Sequence, residues 1–143
     1  MRLILDTYLP PPPSLNRYYR SVIVGGHVQV RISKEGREYK ATVAAKVHDV
    51  MPPREWMEPT EDRLHVDIEY RAPDARARDL DNLQKALLDA MEKAGVYRND
   101  SQIDSLLIER CGIRSDGNAG VRVQVLSIGP PKVKGQRKGK ASE

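Results

Sequence analysis

Four consecutive prolines, Pro10 to Pro13, constrain this chain more than any other stretch. Each lacks a backbone N–H and holds φ near −65°, so neither a helix nor a paired strand can run through them. Upstream, Leu3, Leu5 and Tyr8 flank Asp6 and Thr7, and residues 2–9 read as a first strand that the prolines stop. Downstream, Ser14-Leu15-Asn16-Arg17-Tyr18-Tyr19-Arg20 is expected to be a loop, unusually dense in Arg and Tyr. A second break, Pro52-Pro53, ends whatever precedes it. In a chain of 143 residues these interruptions divide one domain of ordinary size into short elements.

Between the two proline breaks, Val22-Ile23-Val24, a Gly25-Gly26 turn and then Val28, Val30 and Ile32 at period two spell a hairpin. Ser33 can cap a helix from Lys34 to about Met51, with Tyr39, Val43, Val47 and Val50/Met51 recurring three and four apart. Residues 54–62 read as a surface loop whose Trp56 is expected to pack back onto the domain. Leu64, Val66, Ile68 and Tyr70 alternate with polar neighbours, as a half-buried strand does. A second helix is expected over about Leu80 to Ala94. Its buried stripe is Leu80, Leu83, Leu87, Met91 and Ala94, and Gly95 is a natural C-terminal stop. Strands follow over Ile103 to Cys111 and around Val121, Val123 and Val125, separated by the turn residues Ser115 to Asn118. This order predicts an α+β fold, a mixed, largely antiparallel sheet covered by two main helices.

The formal net charge is +4, and its location matters more than its size. Lys132, Lys134, Arg137, Lys138 and Lys140 against Glu143 account for all of it, which leaves the rest of the chain balanced. The reading is a folded domain over residues 1–130 and a basic tail over 131–143. The tail is either a phosphate-seeking arm or a solubilising terminus. The single cysteine, Cys111, excludes an internal disulfide and a cysteine-based zinc site, and is expected to be a small buried residue in its strand. No apolar stretch reaches the roughly 20 residues needed to span a bilayer. Asp6 interrupts the N-terminal apolar run, so no secretory leader is expected there. The expectation is a cytoplasmic protein with no membrane partner.

Chemistry concentrates in Arg76-Ala77-Arg78-Asp79-Leu80-Asp81-Asn82-Leu83-Gln84-Lys85. Asp79 and Asp81 put two carboxylates at the head of one helix, a hard-oxygen pair of the kind that holds Mg²⁺ together with retained waters. The plainer alternative is that they cap the helix and balance its dipole, with Asp79 at the cap itself. Lys85 lies four residues beyond Asp81, where it can serve the same site or pair with Asp81 or Asp89. A calcium loop is excluded, because Leu83 stands where such a loop needs an oxygen ligand. Asp100 heads a second acidic stretch after the helix, either a third ligand or a turn acid. His27, His48 and His65 fall on a hairpin, a helix and a strand, too scattered for a catalytic triad.

The run from Arg78 to Ala86, followed by Asp89-Ala90, Lys93-Ala94-Gly95 and Asn99-Asp100, resembles the RusA family of Holliday junction resolvases. The stretch from Pro12 to Arg20 resembles that family's other signature, in the right order and at a suitable distance. Together with their connecting strands they span most of residues 3–128. The resemblance implies a homodimeric endonuclease that depends on Mg²⁺, with Mn²⁺ able to substitute, and nicks four-way DNA junctions in a symmetric pair of cuts. It implies Asp79, Asp81 and Asp100 as metal ligands and Lys85 as the functional lysine. Family members often carry two adjacent acids where this chain has Asn99-Asp100, which leaves Asp100 as the better ligand. The hairpin around Gly25-Gly26-His27 and the basic tail look like additions to the family pattern.

On that reading Arg17, Arg20, Arg71, Arg76 and Arg78 hold DNA phosphates near an acidic centre that would otherwise repel them. Asn16 and Asn82 join them as DNA contacts. Tyr18 and Tyr19 either stack on unpaired bases or pack beneath the prolines. Lys85 stabilises charge on the pentacovalent phosphate or orients the attacking water. Two alternatives use the same residues: a non-catalytic DNA-binding module, and a nuclease for flaps or forks.

Overall fold

A computed structural model describes residues 1–52 and 56–133. The expected basic tail after Val133 therefore lies outside the described residues. In chain order the elements are β1 (Arg2–Leu9), α1 (Leu15–Tyr18), β2 (Tyr19–Val24), β3 (His27–Ile32), α2 (Lys34–His48), β4 (Arg63–Ala72), α3 (Asp81–Ala94), a 3-10 turn (Asp100–Gln102), β5 (Ile103–Ile113) and β6 (Gly120–Gly129). The α+β reading holds. The four-stranded sheet runs β1-β6-β4-β5, antiparallel except for the parallel β4–β5 pair, and β2–β3 forms a separate hairpin.

Helices cover one face of the sheet only. Leu64, Val66, Ile68, Tyr70 and Ala72 of β4 are buried on that face, with Val121, Val123 and Val125 of β6 and Leu5 and Leu9 of β1. Against them pack Tyr39, Val43 and Val47 of α2 and Leu83, Ala86, Leu87, Ala90 and Met91 of α3. The small residues at 86 and 90 let the helices approach closely. Ser33 caps α2 as expected, its Oγ accepting from the Gly36 N–H at 3.0 Å. Gly95 ends α3 in the left-handed region at φ 87°, a conformation that costs glycine little.

Several local expectations are corrected. Residues 14–20 are not a loop: Leu15–Tyr18 make a helical turn and Tyr19 starts β2. The turn is closed by the Arg17 and Tyr18 N–H groups donating to Ser14 O. α2 stops at His48 rather than near Met51. Trp56 does not pack back but stands 83% exposed. Cys111 is not a core residue either; it sits half-exposed on β5, the edge strand with few buried positions.

Topology decides which distant segments meet. β1 and β4 both pair antiparallel with β6, and Leu9 and Tyr70 both register with Val121. The two strands therefore run in the same direction and end at the same edge of the sheet. The prolines after β1 and the loop after β4 emerge side by side there, at the carboxyl ends of strands where α/β folds place ligands. The parallel β4–β5 pair forces the chain to cross back over the sheet, and α3 is that crossover.

Candidate active site

Pro11, Pro12, Pro13, Ser14 and Arg17 form one wall of an open cleft of about 860 Å³ at this edge. Pro73, Arg76, Ala77, Arg78, Asp79 and Asn82 form the other, and Glu35, Glu38, Tyr39 and Thr42 of α2 close one side. Thus five of the expected site residues, Arg17, Arg76, Arg78, Asp79 and Asn82, meet in one place although 62 positions separate Arg17 from Asp79. The prolines are held against α2 by the Tyr39 hydroxyl, which donates to Pro10 O at 2.9 Å. Burial raises the Tyr39 pKa, so this phenol remains a neutral donor.

The loop before α3 is organised by Asp74, which the sequence reading did not single out. Its Oδ1 accepts from Arg78 Nη1 at 2.7 Å and from the Arg76 N–H at 3.0 Å. The Arg78 guanidinium, and then the backbone donor, hold the Asp74 carboxyl at a pKa of about 2. Arg78 is therefore mostly spent on its own loop. Arg76 is the more available cation, touching Asp74 only at 3.8 Å with most of its side chain exposed.

Asp79 does not cap α3. The helix begins at Asp81, the cap position is Leu80, and no side chain bonds the first turn. Among the described residues the Asp79 carboxylate receives only a 3.5 Å contact from Asn82 Nδ2. Asp81 is exposed and accepts no side-chain hydrogen bond from any described residue. Both carboxylates are thus free for a ligand, and their oxygens are the hard donors a divalent cation prefers.

One turn further on, the polar face of α3 is fully engaged. Lys85 Nζ donates to Asp89 Oδ1 at 2.9 Å, so its partner is Asp89 and not Asp81. The Tyr18 hydroxyl donates to the other oxygen, Oδ2, at 2.8 Å. Asp89, expected as one possible partner of Lys85, thereby also ties α1 to α3. The hydrogen bond to Asp89, and secondarily the field of Asp89, Tyr19 and Asp100, raises the Lys85 pKa, so the side chain stays cationic at neutral pH. Tyr18 is fully buried, which removes it from the expected base-stacking pair. Tyr19 is half-exposed, its ring edge-on to Tyr18 at 4.8 Å.

Asp100 stands apart from the head of α3. It opens the turn that leads into β5, and β5 begins opposite Leu64, near the start of β4. The 14-residue α3 carries the chain away by about 21 Å before that turn. Asp100 is anchored toward the far end of the helix, its N–H donating to Glu92 Oε1 at 2.9 Å. Asn99 is a cap, with its Oδ1 accepting from Ser101 and its N–H donating to Gln102 Oε1. Among the described residues no group of three or more His, Cys, Asp or Glu is gathered closely enough to hold a metal ion. The donor chemistry at Asp79 and Asp81 fits a hard divalent cation, but one chain does not assemble all three aspartates.

The remaining expected contacts divide. Asn16, Arg17 and Arg20 are exposed around the cleft and the hairpin base. Arg71 is not part of the cleft lining: it lies on the sheet face away from the helices, its Nη1 donating to Cys111 O and its Nη2 3.9 Å from Glu69, bracing β5. His27, His48 and His65 share no site, and among the described residues no helix is long and apolar enough to cross a membrane.

A helix head with two unspent aspartates, one of them lining a cleft opposite an arginine-bearing proline loop, suits a phosphodiester-cleaving enzyme, and the comparisons with known proteins agree. The chain belongs to the RusA family of endodeoxyribonucleases, whose family model, Endodeoxyribonuclease RusA, matches residues 9–126. It is 37% identical over 116 residues to the crossover junction endodeoxyribonuclease RusA of Escherichia coli strain K12, covering 79% of this chain and 90% of that protein. The corresponding protein of Enterobacteria phage 82 is 38% identical over the same length and coverage. That of Escherichia coli O139:H28 is 34% identical over 125 residues, covering 85% of this chain and 98% of that protein.

Proposed function

We propose that this endonuclease resolves four-way DNA junctions by hydrolysing one phosphodiester in each of two symmetry-related strands, working as a homodimer with a divalent metal, Mg²⁺ or in its place Mn²⁺. The observation that carries the reading is the head of α3, where Asp79 lines a cleft that also presents Arg17 and Arg76, while Asp81, outside that lining, is exposed and accepts no side-chain hydrogen bond from any described residue. Two symmetric cuts on a roughly two-fold substrate suit a two-fold enzyme. Asp79, Asp81 and Asp100 are the residues that would hold the metal. When bound, it supplies a water of lowered pKa and a Lewis acid for the phosphate. Because Asp79 and Asp81 head α3 while Asp100 lies toward its other end, the reading requires two copies, the helix head of one protomer meeting Asp100 of the partner subunit.

The chain's own groups have separable tasks. Arg17 and Arg76 neutralise the phosphates that flank the cut and keep the backbone against an acidic centre. Asn82 offers an amide donor to the same strand. Lys85, kept protonated by Asp89, offsets charge that grows on the reacting phosphate.

The test is cleavage of a synthetic four-way junction and of a linear duplex of the same sequence, with Mg²⁺ and with EDTA. Junction-selective nicking that needs the metal is expected. Binding in EDTA without nicking in Mg²⁺ or Mn²⁺ would leave only a DNA-binding module, and equal cutting of flaps or forks would broaden the substrate class. Mixing Asp79→Asn with Asp100→Asn protein tests the assembly. Shared sites regain activity in the mixed dimer, whereas sites built within one chain stay dead.

A further inference from the structure

The β2–β3 hairpin is not absorbed by the cleavage site, and it exposes apolar side chains along one face. Tyr19 pairs with Ile32, Ser21 with Val30 and Ile23 with Val28, so these residues share one face. Tyr19 and Ile32 pack against the core at the base. Beyond them the same face is apolar and open to solvent, with Val30 65%, Ile23 78% and Val28 71% exposed. The opposite face pairs Arg20 with Arg31, Val22 with Gln29 and Val24 with His27.

Two features of this ribbon are unfavourable in the free protein. Isolated Ile and Val are common on surfaces, but three stacked along one side of a protruding ribbon are not. Like charges directly opposite on paired strands repel, yet Arg20 and Arg31 face each other, and residues 19–32 contain no Asp or Glu to offset them. Among the described residues Arg31 reaches only Gln29 Oε1, at 3.0 Å. An anionic partner relieves the second cost, and a partner with exposed apolar faces relieves the first. DNA at an open branch point has both, in its phosphates and its unstacked bases. A second copy of this hairpin would answer the apolar face but, carrying no Asp or Glu, would leave the guanidiniums opposed.

We infer that the β2–β3 hairpin is a branch-point wedge: Arg20 and Arg31 grip the backbone while Ile23 and Val28 enter between bases at the crossover and hold them unstacked. Apolar side chains wedged between base steps open and kink DNA in this way, and two-stranded ribbons of about 20 Å are long enough to do it. The ribbon grows from α1, which Tyr18 links to Asp89 beside Lys85, so wedge and cleft are rigidly connected. The inference rests on the junction-resolving reading and adds to it the element that opens the junction.

The experiment uses full-length Ile23→Thr/Val28→Thr protein, which keeps β-branched residues in both strands, and Arg20→Gln/Arg31→Gln protein. A four-way junction carries 2-aminopurine next to the crossover, and a second junction carries mismatches there so that it is already open. The parent should raise the 2-aminopurine fluorescence on binding. The Ile23/Val28 variant should lose that rise, cut the paired junction at least tenfold more slowly, and cut the pre-opened junction within about threefold of the parent. The Arg20/Arg31 variant should bind both junctions more weakly, with a smaller dependence on salt. If the parent cuts junctions and the Ile23/Val28 variant opens and cuts the paired one equally well, the wedge is wrong and the junction reading stands. If that variant instead sediments as a monomer where the parent is a dimer, the apolar face belongs to a second copy, which also overturns the wedge. A parent that cuts no junction overturns both.

Discussion

The first and third turns of α3 carry similar side chains and have opposite roles. At the head, Asp79 and Asp81 are exposed and almost without hydrogen bonds, and no cap uses them. Two turns on, Asp89 is half-buried with both oxygens occupied, one by Lys85 and one by the Tyr18 hydroxyl. Both groups are carboxylates at or just before the same helix, and a sequence treats them alike. The difference lies in what the fold brings to them. A carboxylate whose acceptor sites are filled is structural and positions its neighbours. One left empty at the mouth of a cleft can take a ligand, and no compensating contact keeps it in place for stability.

That contrast breaks most easily at the head. Asp79→Asn and Asp81→Asn should each lower metal-dependent junction cutting on the order of a hundredfold or more, with the melting temperature unchanged or slightly raised. Parent-like cutting by either variant would remove the metal assignment. Lys85→Ala should still bind junctions and cut them roughly a hundredfold more slowly, the loss expected when one charge-stabilising donor goes. Normal cutting would return Lys85 to a purely structural pair with Asp89.

Asp89→Ala should do the reverse of the head variants and act on stability. It leaves the buried Tyr18 hydroxyl without its acceptor, a cost of about 1–3 kcal/mol in denaturant unfolding. An unchanged unfolding midpoint would contradict the structural role. A smaller effect concerns Asp74, whose folded pKa of about 2 lies below its ordinary 3.8. A depressed carboxyl adds stability that is complete above about pH 4 and disappears as the pH falls toward 2. Asp74→Asn should flatten that part of the acid limb in melting temperature against pH. The smallest change is deletion of residues 132–143, which should weaken DNA binding and its salt dependence while cutting and junction preference survive.

Much of the fold was legible because it depends on periodicity and local chemistry. The alternation from Leu64 to Tyr70, the stripe through Leu83, Leu87 and Met91, the Ser33 cap and the Gly95 stop all appear where expected. The role of Tyr18 stayed open between stacking and packing because an Arg- and Tyr-rich segment has one composition whether its rings face bases or a core. Its deciding partner, Asp89, is 71 positions away. Asp74 was missed because a loop acid between prolines and arginines carries no periodic signal. The placement of Asp100 was undecidable for a topological reason: a chain leaving a helix can return to either end of it.

The sequence by itself determined most of the elements, the candidate carboxylates and arginines, and the family, since each is written in contiguous stretches. Only the tertiary structure decided which of these residues work together. Parallel β1 and β4 ends bring Arg17 and Asp79 to one cleft across 62 positions, and the crossover along α3 carries the chain away before Asp100. Hydrogen bonds and strand pairing between distant segments assign a carboxylate its role, and neither has a local signature.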